Sequence, residues 1–449
     1  MAKAVAKQEI TKDILQGDSI TIRGGKPLAG EVAVRGAKNA VTKQMVTSLL
    51  TGERCVLKNV PKIDDVEVVS KMIQAVGGTV KWVKDGILEL ESKNIHPAGR
   101  AELHAIAGKS RIPVLFAGPL LHRTGAAIIP ELGGCKIGKR PVDFHIKALE
   151  QLGVSVEAIE KGYQMKADRL HGTKIRLDYP SVMATEQVLI ASVLAEGVTE
   201  LSNAAIEPEI MDTIAVLQKM GAIISVDTDR VITVIGVEEL HGYEHTVLTD
   251  RIEVASWACA AAATNGKIFV RGAQQETLMT FLNKFRQVGG VFAVRGEGIE
   301  FSRGERLHSI AIQTDVHPGF MTDWQQPFTV LLTQAEGASV IHETVYEDRF
   351  GYVNALNQMG ANIQLFRECL GGRDCRFGKH NHLHSAVVIG PTKLHAEDIE
   401  IPNLRAGFSY VVAALTAEGE STLRNIEHIS RGYENFIEKL RALGAEVGK

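Results

Sequence analysis

Six times along the chain a helix-like stretch closes with the same punctuation. The endings are Gln74-Ala75-Val76-Gly77, Glu150-Gln151-Leu152-Gly153, Gln218-Lys219-Met220-Gly221, Arg286-Gln287-Val288-Gly289, Asn357-Gln358-Met359-Gly360 and Arg441-Ala442-Leu443-Gly444. The glycines lie 76, 68, 68, 71 and 84 residues apart, and a short β-branched run follows each. Glycine suits the left-handed position that ends a helix because it has no Cβ to clash. A repeat at this interval means one supersecondary unit copied six times.

The fourth copy displays the plan. Residues 245–248 read as a short strand, and Asp250-Arg251 then opens an alanine-rich helix that runs to 263 and stops at Asn265-Gly266. Residues 267–271 read as a strand, 277–288 as a helix closed by Gly289, and 291–295 with 299–302 as a hairpin around Gly296-Glu297-Gly298. The order is βαβαββ. The third copy repeats it with strand 173–177, a helix near 184–194, strand 199–202 and a helix opened by Glu207-Pro208-Glu209. Proline suits a first helical turn, and carboxylates suit the positive helix N-terminus. Helical stretches such as 254–263 are apolar over most of their circumference. No apolar run reaches the roughly 18 residues of a membrane span, so such helices belong inside a domain. The expected fold is α/β: a two-domain inside-out α/β barrel, with sheets outside and helices inside. Its six βαβαββ repeats fall three to a domain, with a cleft between the domains.

A chain of 449 residues is too long for one ordinary core. A net charge of −3 argues against general nucleic-acid binding and against a polybasic membrane protein. The five cysteines, Cys55, Cys135, Cys259, Cys369 and Cys375, are scattered and odd in number, which implies no disulfide framework. Residues 1–18 are polar and charged without a signal-like apolar stretch, and read as a flexible tail on a cytoplasmic protein.

Copies of one unit put equivalent positions on the same side of a domain. First helices start at Lys38-Asn39, Ser110-Arg111, Ser181 with Thr185, Asp250-Arg251, Asp323 and Arg405. Second helices start at Arg140 to Asp143, Glu207 and Glu209, Arg349 and Arg431. These groups are expected to converge where two domain faces meet. Helix N-termini beside lysine and arginine make an anion site. Arginine also grips carboxylate or phosphate in bidentate fashion. Taken singly, each of these residues reads as a solvated charge or cap; taken as a matched set, they read as a site.

The sharpest local feature is Gly133-Gly134-Cys135-Lys136-Ile137-Gly138-Lys139-Arg140. Its glycines permit close backbone approach, and its cations favour the thiolate of Cys135, so a reactive cysteine is expected there. A second stretch, 367–384, holds Cys369, Cys375, His380, His382 and His384 within the longest interval between the closing glycines. Those spacings match no standard structural-zinc pattern. The stretch reads as a basic surface loop, with no metal and no cofactor expected.

Several motifs resemble the enolpyruvyl transferase family, and within it the UDP-N-acetylglucosamine 1-carboxyvinyltransferases. They are Arg35-Gly36-Ala37-Lys38-Asn39-Ala40, the Gly133 to Asp143 segment, Glu207-Pro208-Glu209-Ile210, Asp250-Arg251-Ile252-Glu253 and Glu427-His428-Ile429-Ser430-Arg431-Gly432-Tyr433-Glu434. The cysteine loop favours this branch over the shikimate-pathway synthase. The resemblance implies two inside-out domains with crossings near Ala37 and Leu248, dividing the chain into 19–37 plus 249–449 and 38–248. It also implies transfer of the enolpyruvyl group of phosphoenolpyruvate to the 3-hydroxyl of UDP-N-acetylglucosamine. Lys38, Arg140 and Arg431 would hold the phosphate, with Arg349 and Arg405 near the carboxylate. Asn39, Arg111, Arg140, Pro141, Val142, Asp143, Phe144, Tyr179, Pro180, Ser181, Val182, Asp323 and Val345 would complete the substrate sites. Cys135 would be the general acid and Asp323 the base, with Lys38 and Arg431 assisting catalysis. No obligate protein partner, nucleic acid or membrane enters this picture.

Three positions depart from the family pattern: Asn403 where aspartate is usual, Tyr179 where some members carry lysine, and Met183 where glycine is common. Asparagine cannot act as a base. Two other readings therefore stay open at this point: enolpyruvyl transfer to a different nucleotide, and a UDP-sugar-binding paralogue with little turnover.

Overall fold

The computed structural model describes residues 18–96, 106, 110–132, 142–372 and 375–448. Residues 1–17 of the expected tail, and the loop with Cys135, Arg140 and Pro141, lie outside them. All six closing glycines are left-handed, with φ from 87° at Gly444 to 104° at Gly221. Each donates its N–H to the carbonyl three residues earlier at 3.0 Å, so the same cap ends the second helix of every copy.

The described strands form six sheets, five of four strands and one of three. In the fourth copy Lys267–Arg271 pairs antiparallel with Gly298–Arg303, which pairs in turn with Gly290–Arg295. The parallel partner of Lys267–Arg271 is Ala29–Ala33, from the start of the chain. The strand assigned above to the opening of this copy, Glu244–Thr246, instead lies parallel to Cys55–Lys58 in the sheet of the first copy. The two copies have exchanged their first strands. A local pattern of β-branched residues reports a strand but not its partner, which is why the exchange escapes the sequence. The sixth sheet is completed by Ser19–Arg23, which sits between Glu420–Arg424 and Glu446–Gly448.

Helices occupy the inside. All 13 residues of Arg251–Ala263 are buried. This helix packs with Gln325–Leu332 and Leu404–Thr416, the first helices of the next two copies. In the other half Lys38–Thr47, Ala117–Thr124 and Val182–Ser192 gather around the 3-10 turn Ile112–Phe116. The outer sheet faces leave Val198, Ile223, Val291 and Val294 about half exposed. Among the described residues no helix is long and apolar enough to cross a membrane.

The buried apolar side chains separate into two clusters. One draws on Ile20 to Val34 and Ile252 to Ala445, the other on Ala37 to Val247. The two halves join where the chain passes twice between them. Ala37 N–H donates to the Leu248 carbonyl at 2.7 Å, and Asp250 N–H to the Arg35 carbonyl at 2.9 Å. A Cβ on Gly36 would meet the Asn59 carbonyl oxygen at 2.4 Å, so the strands approach this closely only with glycine there.

Candidate active site

Lys38 starts the helix Lys38–Thr47, and its ammonium pairs with Asp65, in the first turn of Asp64–Ala75. Asp65 Oδ1 also accepts from Arg431 Nε at 3.3 Å, across the seam between the two halves. Two further bonds hold this seam. Ser430 Oγ donates to Asp64 at 2.8 Å, and the Lys62 N–H donates to Glu434 at 2.9 Å. Burial lowers the pKa of Lys38, Asp65 opposes that, and Arg431 and Arg405 add to the lowering. Burial favours the neutral form of Asp65, but Lys38 and Arg431 outweigh it and lower its pKa. The result is a compact group of cations balanced by one carboxylate.

Arg405 connects this group to a second one. It lies in the first turn of Leu404–Thr416, and its Nε donates to Asp323 Oδ2 at 3.2 Å. Arg349 pairs with the other Asp323 oxygen. Burial disfavours charge on Arg405, but Asp323 prevails and keeps the guanidinium ionised. Beside them a cavity of about 120 Å³ is lined by Gln326, Asp348, Arg349, Pro402, Asn403 and Ala406 among others. Asn403 caps the helix that carries Arg405. Its Oδ1 accepts from the Arg405 and Ala406 N–H groups, each at 3.2 Å. Asparagine and aspartate cap about equally well, so the departure at this position leaves the helix start intact.

Several of the other sequence-designated residues sit at or beside helix starts. Asn39 follows Lys38 and accepts at its carbonyl from Lys43 Nζ at 2.7 Å. Val142 stands at the cap of Asp143–Gln151, and Phe144 on that helix packs partly against the core. His145 of the same helix is buried, and burial first, with Arg111 second, pushes its pKa down to about 3. It therefore stays neutral beside the Arg111 cation. Ser181 follows Pro180 and caps Val182–Ser192, its Oγ accepting from the Ala184 N–H at 3.5 Å. Tyr179 carries the Arg376 guanidinium 4.1 Å above its ring, and the same guanidinium donates to the Val345 carbonyl. This contact also spans the two halves.

Sequence reasoning missed Asp65, Arg376 and Glu343. Asp64-Asp65 opens a second helix at the point where other copies place Arg349 and Arg431, so the signal was there. Glu343 accepts from Thr322, Gln325, Val345 N–H and Tyr346 N–H, and so ties the Asp323 turn to the Val345 segment. Not every helix start serves an anion. Arg251 grips Glu209 with two bonds of 2.9 and 3.0 Å, fully buried, making a structural clasp between the halves. The stretch 367–384, read above as a basic surface loop with no metal, brings several of its Cys and His side chains together. Cys369, Cys375 and His384 gather with His342, and their four ligand atoms lie within 4.8 Å of one another.

Comparison with known proteins identifies the family. The profile of EPSP synthase (3-phosphoshikimate 1-carboxyvinyltransferase) matches residues 22–440. The chain belongs to this family. A UDP-N-acetylglucosamine 1-carboxyvinyltransferase from Protochlamydia amoebophila is 52% identical over 438 residues, covering 96% of this chain and 94% of that one. A protein of the same name from Chlamydia abortus is 46% identical over 430 residues, covering 94% and 96%. Among solved structures, the enolpyruvyl transferase NikO from Streptomyces tendae superposes with a TM-score of 0.84 at 22% identity, over 96% of this chain and 99% of that one. An EPSP synthase from Acinetobacter baumannii gives 0.73 at 17% identity, over 96% and 100%. Members of this family thus share the inside-out α/β fold across very low identity.

Proposed function

We propose that this chain is a UDP-N-acetylglucosamine 1-carboxyvinyltransferase. It moves the enolpyruvyl group of phosphoenolpyruvate to the sugar 3-hydroxyl and releases phosphate, the first committed step of peptidoglycan precursor synthesis. The observation that carries this reading is the pairing of Lys38 and Arg431 with Asp65 and of Arg349 and Arg405 with Asp323, the two groups linked through Arg405, in a chain whose relatives bear that name. The work is cytoplasmic and serves cell-wall biogenesis, and through it cell shape and division. The domains are 19–37 plus 249–449 and 38–248. No protein partner is required.

The chemistry has two steps. A proton goes to the methylene carbon of phosphoenolpyruvate while the 3-hydroxyl oxygen attacks the adjacent carbon, giving a tetrahedral adduct. Loss of a proton from the new methyl group then expels phosphate. Cys135 delivers the first proton and Asp323 takes the hydroxyl proton, one on each side of the reacting carbon. Lys38, Arg140 and Arg431 hold the phosphate, which competes with Asp65 for Lys38 and Arg431. Arg349 and Arg405 lie near the carboxylate. Fixed cations stabilise the adduct without reorganising as charge develops. Asn39, Arg111, residues 140–144, residues 179–182, Asp323 and Val345 receive the nucleotide sugar. Phosphate release should require both phosphoenolpyruvate and UDP-N-acetylglucosamine, and other UDP-sugars should not substitute. Binding of the nucleotide with no phosphate release would instead support a paralogue without turnover.

A further inference from the structure

The long fifth interval between closing glycines, 360–444, brings Cys369, Cys375 and His384 together with His342 from just before it. Three strand ends set it up. His342 is the last residue of Gly337–His342 and pairs in register with Ser385, the first of Ser385–Gly390. His384, one residue before that strand, therefore stands next to His342, and their ring centroids are 5.4 Å apart. Cys369 lies three residues past the end of Asn362–Phe366, where the Leu370 N–H donates to Ser385 Oγ at 3.2 Å. The loop then returns Cys375 to the same point. Gly371 closes over the group, and a Cβ there would meet His342 Nδ1 at 2.2 Å.

The spacing of the ligand atoms fits a tetrahedral ion. Zinc–sulfur and zinc–nitrogen bonds of about 2.3 and 2.05 Å require roughly 3.8 Å between two sulfurs and roughly 3.6 Å between sulfur and nitrogen. The two sulfurs, Cys369 Sγ and Cys375 Sγ, are 3.7 Å apart, and Cys369 Sγ lies 3.4 Å from His384 Nε2. A disulfide needs about 2.05 Å. The surroundings also suit ligation. His384 Nδ1 lies 2.9 Å from the His382 carbonyl, which can only accept, so Nδ1 carries the proton and Nε2 presents its lone pair to the cluster. Phe377 N–H donates to Cys375 Sγ at 3.4 Å. Both His342 and His384 are fully buried.

We propose that His342, Cys369, Cys375 and His384 bind one structural zinc ion. The ion has no open position for chemistry. It fixes the turn that follows Cys375, and with it Arg376, whose guanidinium spans from the Val345 carbonyl to the Tyr179 ring of the opposite half. The zinc thereby holds a strap over the proposed nucleotide site.

The full chain, purified under reducing conditions, should contain about one zinc per chain by elemental mass spectrometry. After chelation, one equivalent of Co²⁺ should bind and give the intense visible absorption of tetrahedral thiolate coordination. Cys369→Ser with Cys375→Ser should lose both signals, whereas Cys55→Ser should keep them. Zinc at full occupancy in the double variant would overturn the assignment. So would a natural chain that takes up neither ion once its thiols are reduced. Metal-free chain and Arg376→Ala should show a similar rise in KM for UDP-N-acetylglucosamine, roughly threefold to tenfold, with kcat little changed. That last effect rests on the function proposed above, but metal content does not, so the two failures are distinguishable. An unchanged KM in both would leave the zinc but refute the strap.

Discussion

Burial pushes the Cys55 thiol up to about 12 and raises Cys259 and Cys375 as well. Neither Cys55 nor Cys259 is a thiolate near neutral pH, and none of the three has the sequence neighbours of Cys135, with Lys136, Lys139 and Arg140 close by. The epoxide fosfomycin should therefore alkylate Cys135 selectively, and UDP-N-acetylglucosamine should accelerate the reaction. Intact mass with peptide mapping reads this out. Label spread evenly over Cys135, Cys55 and Cys375 would contradict a tuned thiol. At this scale the sequence was informative wherever charge clustered locally, as around Cys135 or at Lys38. It was silent on Asp65 as a bridge, because its partner Arg431 is 366 residues away and is brought to it only by the fold.

At the scale of elements, the six glycine caps were legible because a helix end is encoded within a few residues. The exchange of Ala29–Ala33 and Glu244–Thr246 between copies was not, since pairing of distant strands leaves no local mark. The proposed zinc ligands escaped the sequence for the same reason. His342 comes from a strand 27 residues before Cys369, outside any contiguous ligand motif. Arg251 and Glu209 were legible as helix starts but not as partners. Their bidentate pair is buried, and Glu207 is the other carboxylate that acts on Arg251 most strongly. Glu209→Ala should leave a buried guanidinium under-compensated and cost about 3–5 kcal/mol. Urea unfolding followed by circular dichroism tests it. A loss below about 1 kcal/mol would mean that Glu207 or water takes over the role.

For the whole molecule, three copies on each side of a double crossing turn a linear repeat into two opposed faces. Equivalent helix starts then point at one seam, which is how residues spread from Lys38 to Arg431 come to share a site. In the proposed mechanism Asp323, paired with Arg349 and Arg405, is the base, and Asn403 caps the helix that carries Arg405. The most direct test is phosphate release from phosphoenolpyruvate and UDP-N-acetylglucosamine by the natural chain, Asp323→Asn and Asn403→Asp. The natural chain should turn over, and Asp323→Asn should lose more than about 100-fold. Asn403→Asp should gain roughly tenfold or less, about 1.4 kcal/mol of barrier. A nearly inert natural chain that Asn403→Asp restores by several orders of magnitude would contradict the single-base account.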